Sequence, residues 1–348
     1  MAEQKTGLVT VGIAGLGRSG WGIHARLLSQ VTDKFKIVAV LDADAGRRKE
    51  AMDKFGCKEY TDYAAMLADP EIELAVVAMP SHLHAPYAIQ ALEAGKHVVC
   101  EKPMATCLKD ADAMIKASKK AKRVLSIFQN RRYSADFLKV REVIQSGKLG
   151  RIVLIRMAVH GFGRRWDWQT LKEYGGGSLN NTGPHFLDQA LQLMGEKNPK
   201  VFCTLDRTLT SGDADDHVKV VLTAEGAPMV DLEITACCAY GQETWLVMGT
   251  CGGLAGKANA LRWKYIDPKT LPPRPVDRQP TPDRSYNRED LTWTEETWDP
   301  SKGAGPGDAQ FYRDLYATIH ERKPLVITPQ SVRLQMAVIE KCHRQCPL

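Results

Sequence analysis

Gly12-Ile13-Ala14-Gly15-Leu16-Gly17-Arg18-Ser19-Gly20 closes an apolar run that starts at Leu8 and opens a segment of helical period. In that strand-to-helix context Gly15 permits the tight turn, Gly17 lets a diphosphate approach the backbone, and Gly20 lets the helix pack on the strand. Arg18 and Ser19 fall at the helix N-terminus, where free N–H groups and the dipole favour an anion. A second apolar run, Lys36 to Leu41, ends in Asp42, about twenty residues after the glycines, as a dinucleotide fingerprint requires. A carboxylate there accepts from both adenosine ribose hydroxyls and repels a 2′-phosphate, so NAD is expected in preference to NADP. Arg47 and Arg48 follow closely and soften that preference. The bland alternative is a glycine turn in an α/β protein that binds no nucleotide, with Asp42 merely exposed; placement, spacing and the acid together argue against it.

Outward from this turn, strand-length runs at Leu74 to Met79, His97 to Cys100 and Arg123 to Phe128 alternate with helical segments, the signature of a parallel doubly wound sheet. Pro86 and Gly95 punctuate one of these helices at its first turn and its C-terminus. Beyond Gln129 the pattern changes. A helix through Leu138 to Ile144 leads into Arg151 to Val159. His217-Val218-Lys219-Val220 and Asp231-Leu232-Glu233-Ile234 then alternate with period two, as strands with one buried face do. The expected fold is α/β: an N-terminal Rossmann dinucleotide-binding domain over residues 1–128, and an α+β domain over 129–348 with a large, mostly antiparallel, open-faced sheet. The closing helix, opened by Thr328-Pro329, is expected to pack back on the first domain. Residues 267–299, rich in proline and charge, read as a long surface excursion.

Length and composition fit this division. A chain of 348 residues suits two cores, and 44% hydrophobic with 25% charged residues excludes general disorder. The longest apolar runs are far short of a membrane span. The stretch from Met1 to Gly12 has no apolar leader, which points to the cytoplasm. The net charge of +6 includes a basic tract, Lys119, Lys120, Lys122 and Arg123, that reads as a solvated helix end rather than a nucleic-acid surface. Nine cysteines without a CxxC pair argue against a disulfide framework. Cys342, His343 and Cys346 read as packing residues, and no metal is expected.

Past the third strand come Met79-Pro80-Ser81-His82-Leu83-His84 and then Val98-Val99-Cys100-Glu101-Lys102-Pro103; farther on come Gly175-Gly176-Gly177 and Asn181-Thr182-Gly183-Pro184-His185. With these motifs the chain resembles, over essentially its whole length, the Gfo/Idh/MocA family of glucose-fructose oxidoreductases and inositol dehydrogenases, whose hallmark is Glu-Lys-Pro after this strand. The resemblance implies an NAD-dependent oxidoreductase, a cis bond before Pro103, and cofactor contacts from Pro80, His84, Glu101 and Lys102. It also implies subunits paired through the open sheet face, as a homodimer or homotetramer. Many members carry Asp where this chain has Asn181; an amide orients a hydroxyl but carries no proton.

Oxidising a secondary alcohol requires removal of the hydroxyl proton as hydride leaves the same carbon. Lys102 stands at the carboxyl edge of a dinucleotide-fold strand, where burial beside the positive nicotinamide ring lowers its pKa. His185 sits at a helix N-terminus that favours neutral imidazole. Both are candidate catalytic residues, against the bland readings of a surface lysine and a capping histidine. Asp188, one turn on, either orients the imidazole or lines the domain interface. Arg131, His160, Arg164, Arg165, Trp166 and Trp168 surround these motifs in sequence. Of these, Arg131, His160, Arg164 and Trp166, with Lys102, Asn181 and His185, are taken as substrate ligands, guanidinium groups meeting hydroxyls or carboxylates and an aromatic face meeting sugar C–H edges. The expected substrate is a small sugar, glycoside (at C3 in one reading) or cyclitol. Two other readings compete: an NAD-dependent redox glycosidase that oxidises, eliminates and re-reduces, and a non-enzymatic nucleotide-sensing regulator, against which Lys102 and His185 argue.

Overall fold

The computed structural model describes residues 7–280 and 284–348. Residues 1–6, which carry half of the stretch read as lacking a leader, and 281–283, inside the expected excursion, lie outside the described residues.

Strands β1 (Val9–Ala14), β2 (Phe35–Leu41), β3 (Lys58–Tyr60), β4 (Leu74–Val77), β5 (His97–Cys100) and β6 (Leu125–Ile127) form a parallel sheet in the order β3-β2-β1-β4-β5-β6. Helices cover both faces, so β1 and β4 are apolar and buried almost without alternation. The intervening helices are α1 (Arg26–Leu28, preceded by a π-helical turn over Gly20–Ala25), α2 (Ala45–Phe55), α3 (Tyr63–Ala68), α4 (His84–Glu93) and α5 (Leu108–Ala121). Strand order reverses between β1 and β4, and a crevice opens at their carboxyl ends. The three-residue edge strand β3 escaped the sequence reading because Lys58-Glu59-Tyr60 has no apolar run.

The second half begins with α6 (Ala135–Gln145), β7 (Ile152–His160), α7 (Ser178–Asn181) and α8 (Gly183–Leu193). Strands β8 (Lys200–Asp206), β9 (His217–Thr223), β10 (Met229–Thr235), β11 (Trp245–Gly249), β12 (Gly252–Lys257), β13 (Ala260–Tyr265) and β14 (Thr294–Trp298) join β7 in an eight-stranded sheet, ordered β14-β13-β12-β11-β7-β10-β9-β8. All its pairings are antiparallel except β7 with β10. The expected period-two burial is visible in β9, whose Val218, Val220 and Leu222 are fully buried. The expected fold class is thus the observed one. The surface excursion ends sooner than expected, because 294–298 pair with β13 and bury Trp298. A tryptophan in a polar stretch was the available signal.

The chain then returns to the first core. Helix α9 (Gln310–Glu321) places Phe311, Tyr312 and Leu315 against the parallel sheet. Helix α10 (Pro329–Gln345), capped by Thr328 accepting from the Ser331 N–H, puts Val332 and Met336 in the first core and Val338, Ile339 and Cys342 in the second. Each such burial is worth about 1.5 to 3 kcal/mol for a large aliphatic side chain, so α10 fixes the two halves around the crevice. Among the described residues no helix is long and apolar enough to cross a membrane, and no cluster of three or more His, Cys, Asp or Glu is placed to hold a metal ion.

Candidate active site

The glycine turn shows why those residues stand there. Gly15 has φ +93°, and a Cβ on it would meet the Ala78 carbonyl oxygen at 2.6 Å. A Cβ on Gly20 would lie 1.7 Å from the Gly15 carbonyl oxygen. Gly17, in contrast, faces open space, the cradle a diphosphate needs. Asp42 at the end of β2 accepts from the Leu16 N–H (2.7 Å) and the Asp44 N–H (2.9 Å), which aims its carboxylate over the turn. Arg48 is committed to Glu59 and to the Asp42 and Ala43 carbonyls, so of the pair Arg47 and Arg48 it is Arg47, 3.6 Å from Asp42, that faces the crevice.

That crevice is a cleft of about 660 Å³. Gly15, Gly17, Arg18, Ser19, Asp42, Pro80, His84, Glu101 and Lys102 all line it, as a dinucleotide site requires; Gly20 lies behind, packing helix on strand. A dinucleotide fits this donor set, with Gly17 and the following N–H groups at the diphosphate and Asp42 at the ribose. From the second half of the chain, Arg165, Trp168 and Gln169 line the same cleft. Arg164 instead reaches Ser211, and Trp166 is 79% exposed away from it. The sequence cluster was right in place and off by one or two residues in facing, since a loop has no period to read. Gln169 had no sequence signal.

Glu101 and His84 act on the loop that carries Lys102. The Glu101 Oε2 accepts from the Lys102 N–H at 3.0 Å, and Oε1 lies 3.2 Å from His24 Nε2, whose Nδ1 is 2.7 Å from the Tyr312 hydroxyl. Burial would raise the Glu101 pKa, but hydrogen bonding and charge from His24, with Lys102 beside it, pull it down to about 2. His84 bridges the two loops at the cleft, with ring nitrogens 2.6 Å from the Pro103 carbonyl and 2.9 Å from that of Met79. The Lys102–Pro103 bond is cis, as the resemblance implied.

Lys102 Nζ donates to Asn181 at two oxygens, the backbone carbonyl (3.0 Å) and Oδ1 (3.1 Å). Burial lowers the lysine pKa, with help from Arg18, Arg131 and Arg165 and against Glu101. Asn181 ends α7, whose start is fixed by Asp215: its backbone carbonyl accepts from the Ser178 N–H and its Oδ2 from the Leu179 N–H, both at 2.8 Å. Gly177, φ +104°, is a glycine because a Cβ would meet Asp215 Oδ1 at 2.3 Å. His343 from α10 holds the neighbouring Asn180 at 3.0 Å.

His185, in the first turn of α8, is partly exposed, and its Nδ1 has no hydrogen-bond partner among the described residues. Burial first, then Lys102 and Arg131, push its pKa down to about 3, so the ring is neutral at ordinary pH. Asp188 does not orient it. Its two oxygens take Arg132 Nε and Nη2, both at 2.7 Å, in a buried bidentate pair at the domain junction. Arg131 lies over the Phe186 ring, next to His185. His160 Nδ1 accepts from the Gln242 N–H (3.2 Å), and its Nε2 lies 3.0 Å from Glu233 Oε1 without a hydrogen-bond partner among the described residues. It does not line the dinucleotide cleft.

Two family models match the chain: the oxidoreductase family with NAD-binding Rossmann fold over residues 9–129, and the GFO/IDH/MocA C-terminal domain over 137–255. An inositol 2-dehydrogenase from Salmonella typhimurium is 31% identical over 238 residues, 67% of this chain and 68% of that one. A scyllo-inositol 2-dehydrogenase (NADP(+)) from Bacillus subtilis is 31% identical over 56% of this chain and 54% of its own. Among solved structures, an NAD-binding protein from Listeria innocua superposes with a TM-score of 0.83 at 28% identity, covering 98% of this chain and 97% of that one. Glycine turn, cleft, Glu-Lys-Pro loop and open-faced sheet lead to the same place as these matches: the chain is an NAD-binding oxidoreductase and belongs to the Gfo/Idh/MocA family.

Proposed function

We propose that the protein is an NAD-dependent dehydrogenase acting on a secondary hydroxyl of a cyclitol, sugar or glycoside, with Lys102 as the base and His185 beside it on the reacting hydroxyl. The observation that carries this reading is the Lys102 ammonium, held by two Asn181 oxygens at the inner end of the dinucleotide cleft. NAD, when bound, accepts the hydride from the substrate carbon. An efficient base has a pKa near the working pH. Burial and three neighbouring cations move Lys102 in that direction, whereas His185 at about 3 is too weak. Lys102 therefore takes the hydroxyl proton, and neutral His185 hydrogen-bonds the hydroxyl and orients it. The inositol dehydrogenase relatives support a cyclitol among the candidates. Screening myo-inositol, scyllo-inositol and common hexoses for NADH release tests the reading; no turnover with any of them, despite NAD binding, counts against it.

Asp42 supports a preference for NAD over NADP, with Arg47 as the one cation of its pair facing the cleft. We further propose a functional division after residue 128 and pairing of subunits through the open sheet face, where Val153, Phe202, Met229 and Met248 are exposed. A monomer by light scattering at micromolar concentration would end the pairing proposal. The nine free thiols suit a reducing compartment, the cytoplasm.

A further inference from the structure

A separate pocket of about 390 Å³ lies at the junction end of the large sheet, where β7 finishes and β11 begins. It abuts the proposed reaction centre: Phe186 on its wall follows His185, and Arg131 on its wall is one of the cations acting on both Lys102 and His185. Four of its groups lack partners among the described residues, His160 Nε2 being one. Arg131 and Lys257 have no carboxylate within ion-pair distance among the described residues. Gln189 is 2% exposed, and its Nε2 donates to the Arg131 carbonyl (2.9 Å) and to Ser134 Oγ (3.2 Å). The carbonyl fixes the amide's orientation, because it can only accept. Gln189 Oε1 is thereby left buried with no partner among the described residues. A buried acceptor without a donor is costly to fold, and the structure supplies no donor to this atom. Asp136, also on the wall, accepts from Trp245 Nε1 at 2.9 Å and sets one carboxylate against the two cations, while Glu233 serves Lys219, so the pocket keeps a net positive charge.

Two cations against one carboxylate, with one buried acceptor, beside a lysine and histidine suited to a secondary alcohol, describe a ligand with an anionic group and hydroxyls. We propose that this pocket receives the far end of an anionic carbohydrate: a sugar acid or phosphorylated polyol whose charged group meets Arg131 and Lys257 and whose hydroxyl donates to Gln189 Oε1. The proposal rests on the dehydrogenase reading for its placement of the reacting carbon. It stands apart from that reading in what it says about binding.

The test compares matched pairs on the NAD-loaded enzyme: glucuronate with glucose, galacturonate with galactose, and myo-inositol 1-phosphate with myo-inositol. Calorimetric binding and kcat/KM are both measured, in the unmodified protein and in Lys257→Met, whose exposed side chain has no ion pair to lose. The charged member of at least one pair should bind about 10- to 100-fold more tightly, the worth of one charged hydrogen bond, and Lys257→Met should collapse that ratio toward one. A carboxylate and a phosphate are told apart by which pair shows it. Charge-selective binding without NADH formation would support the pocket and remove the dehydrogenase reading. Equal binding within every pair, absence of binding by all six, or selectivity that survives Lys257→Met would overturn the proposal.

Discussion

Replacing Asn181 with Asp would put a carboxylate oxygen 3.1 Å from the Lys102 ammonium. At an effective dielectric of about 20, the attraction at that distance is roughly 5 kcal/mol. Desolvating the new carboxylate in a partly buried position takes back a large share, leaving about 1.5 to 4 kcal/mol. At about 1.4 kcal/mol per pH unit, the rate limb governed by Lys102 should move up by about 1 to 3 pH units. The sign follows from the neighbours. Burial and Arg18, Arg131 and Arg165 now lower the lysine pKa while Glu101 opposes them, and a second carboxylate joins Glu101. Lys102 accepts a proton only as the free amine, so oxidation rises with pH through its pKa, and the variant needs a higher pH for the same rate. The assay is the pH profile of kcat/KM for NADH formation, with NAD affinity followed by fluorescence quenching as a control. On the rising limb Asn181→Asp should lose about 10- to 1000-fold and recover at high pH. A limb that stays in place, or moves down, would refute Lys102 as the base.

Asp42→Ala should narrow or reverse the preference for NAD over NADP, read as the ratio of the two kcat/KM values; an unmodified protein that uses both cofactors equally defeats this assignment. Asp188→Ala leaves Arg132 buried without its bidentate partner and should cost about 3 to 5 kcal/mol in denaturant unfolding; a loss below about 1 kcal/mol would mean that the pair is not what holds the junction. Glu101, held at about 2 against an ordinary 4.5, contributes stability that is fully present above 4.5 and is lost as pH falls toward 2. Glu101→Gln should therefore flatten the acid limb of the stability curve over that range, and identical limbs would show that the His24 contact contributes nothing.

The parts legible in the sequence were those fixed by short-range geometry. Gly15, Gly17, Gly20 and Asp42 are dictated by backbone approach and strand length, and the Glu101-Lys102-Pro103 step follows a buried parallel strand directly. What escaped depends on partners far along the chain. His160 reads as a substrate ligand, but Gln242 takes its Nδ1 and Glu233 stands beside its Nε2; Asp188 reads either as a partner for His185 or as a residue of the domain interface, and Arg132, taking both its oxygens, decides for the second. Trp168 and Arg165, rather than Trp166 and Arg164, face the cleft because the loop's turn at Asp167 sets the facing. Asn181 reads as an amide that carries no proton; in the fold its side-chain and backbone oxygens together hold the lysine.

The most direct measurement is transfer of label. Myo-inositol, glucose and glucuronate deuterated at their ring carbons are incubated with the protein and NAD, and the recovered dinucleotide is weighed by mass spectrometry. Deuterium should appear in the reduced nicotinamide ring with at least one of them, and Lys102→Ala should slow its appearance by about 10²- to 10⁴-fold while NAD binding persists. Label that never transfers, or that transfers as fast without Lys102, would contradict the mechanism.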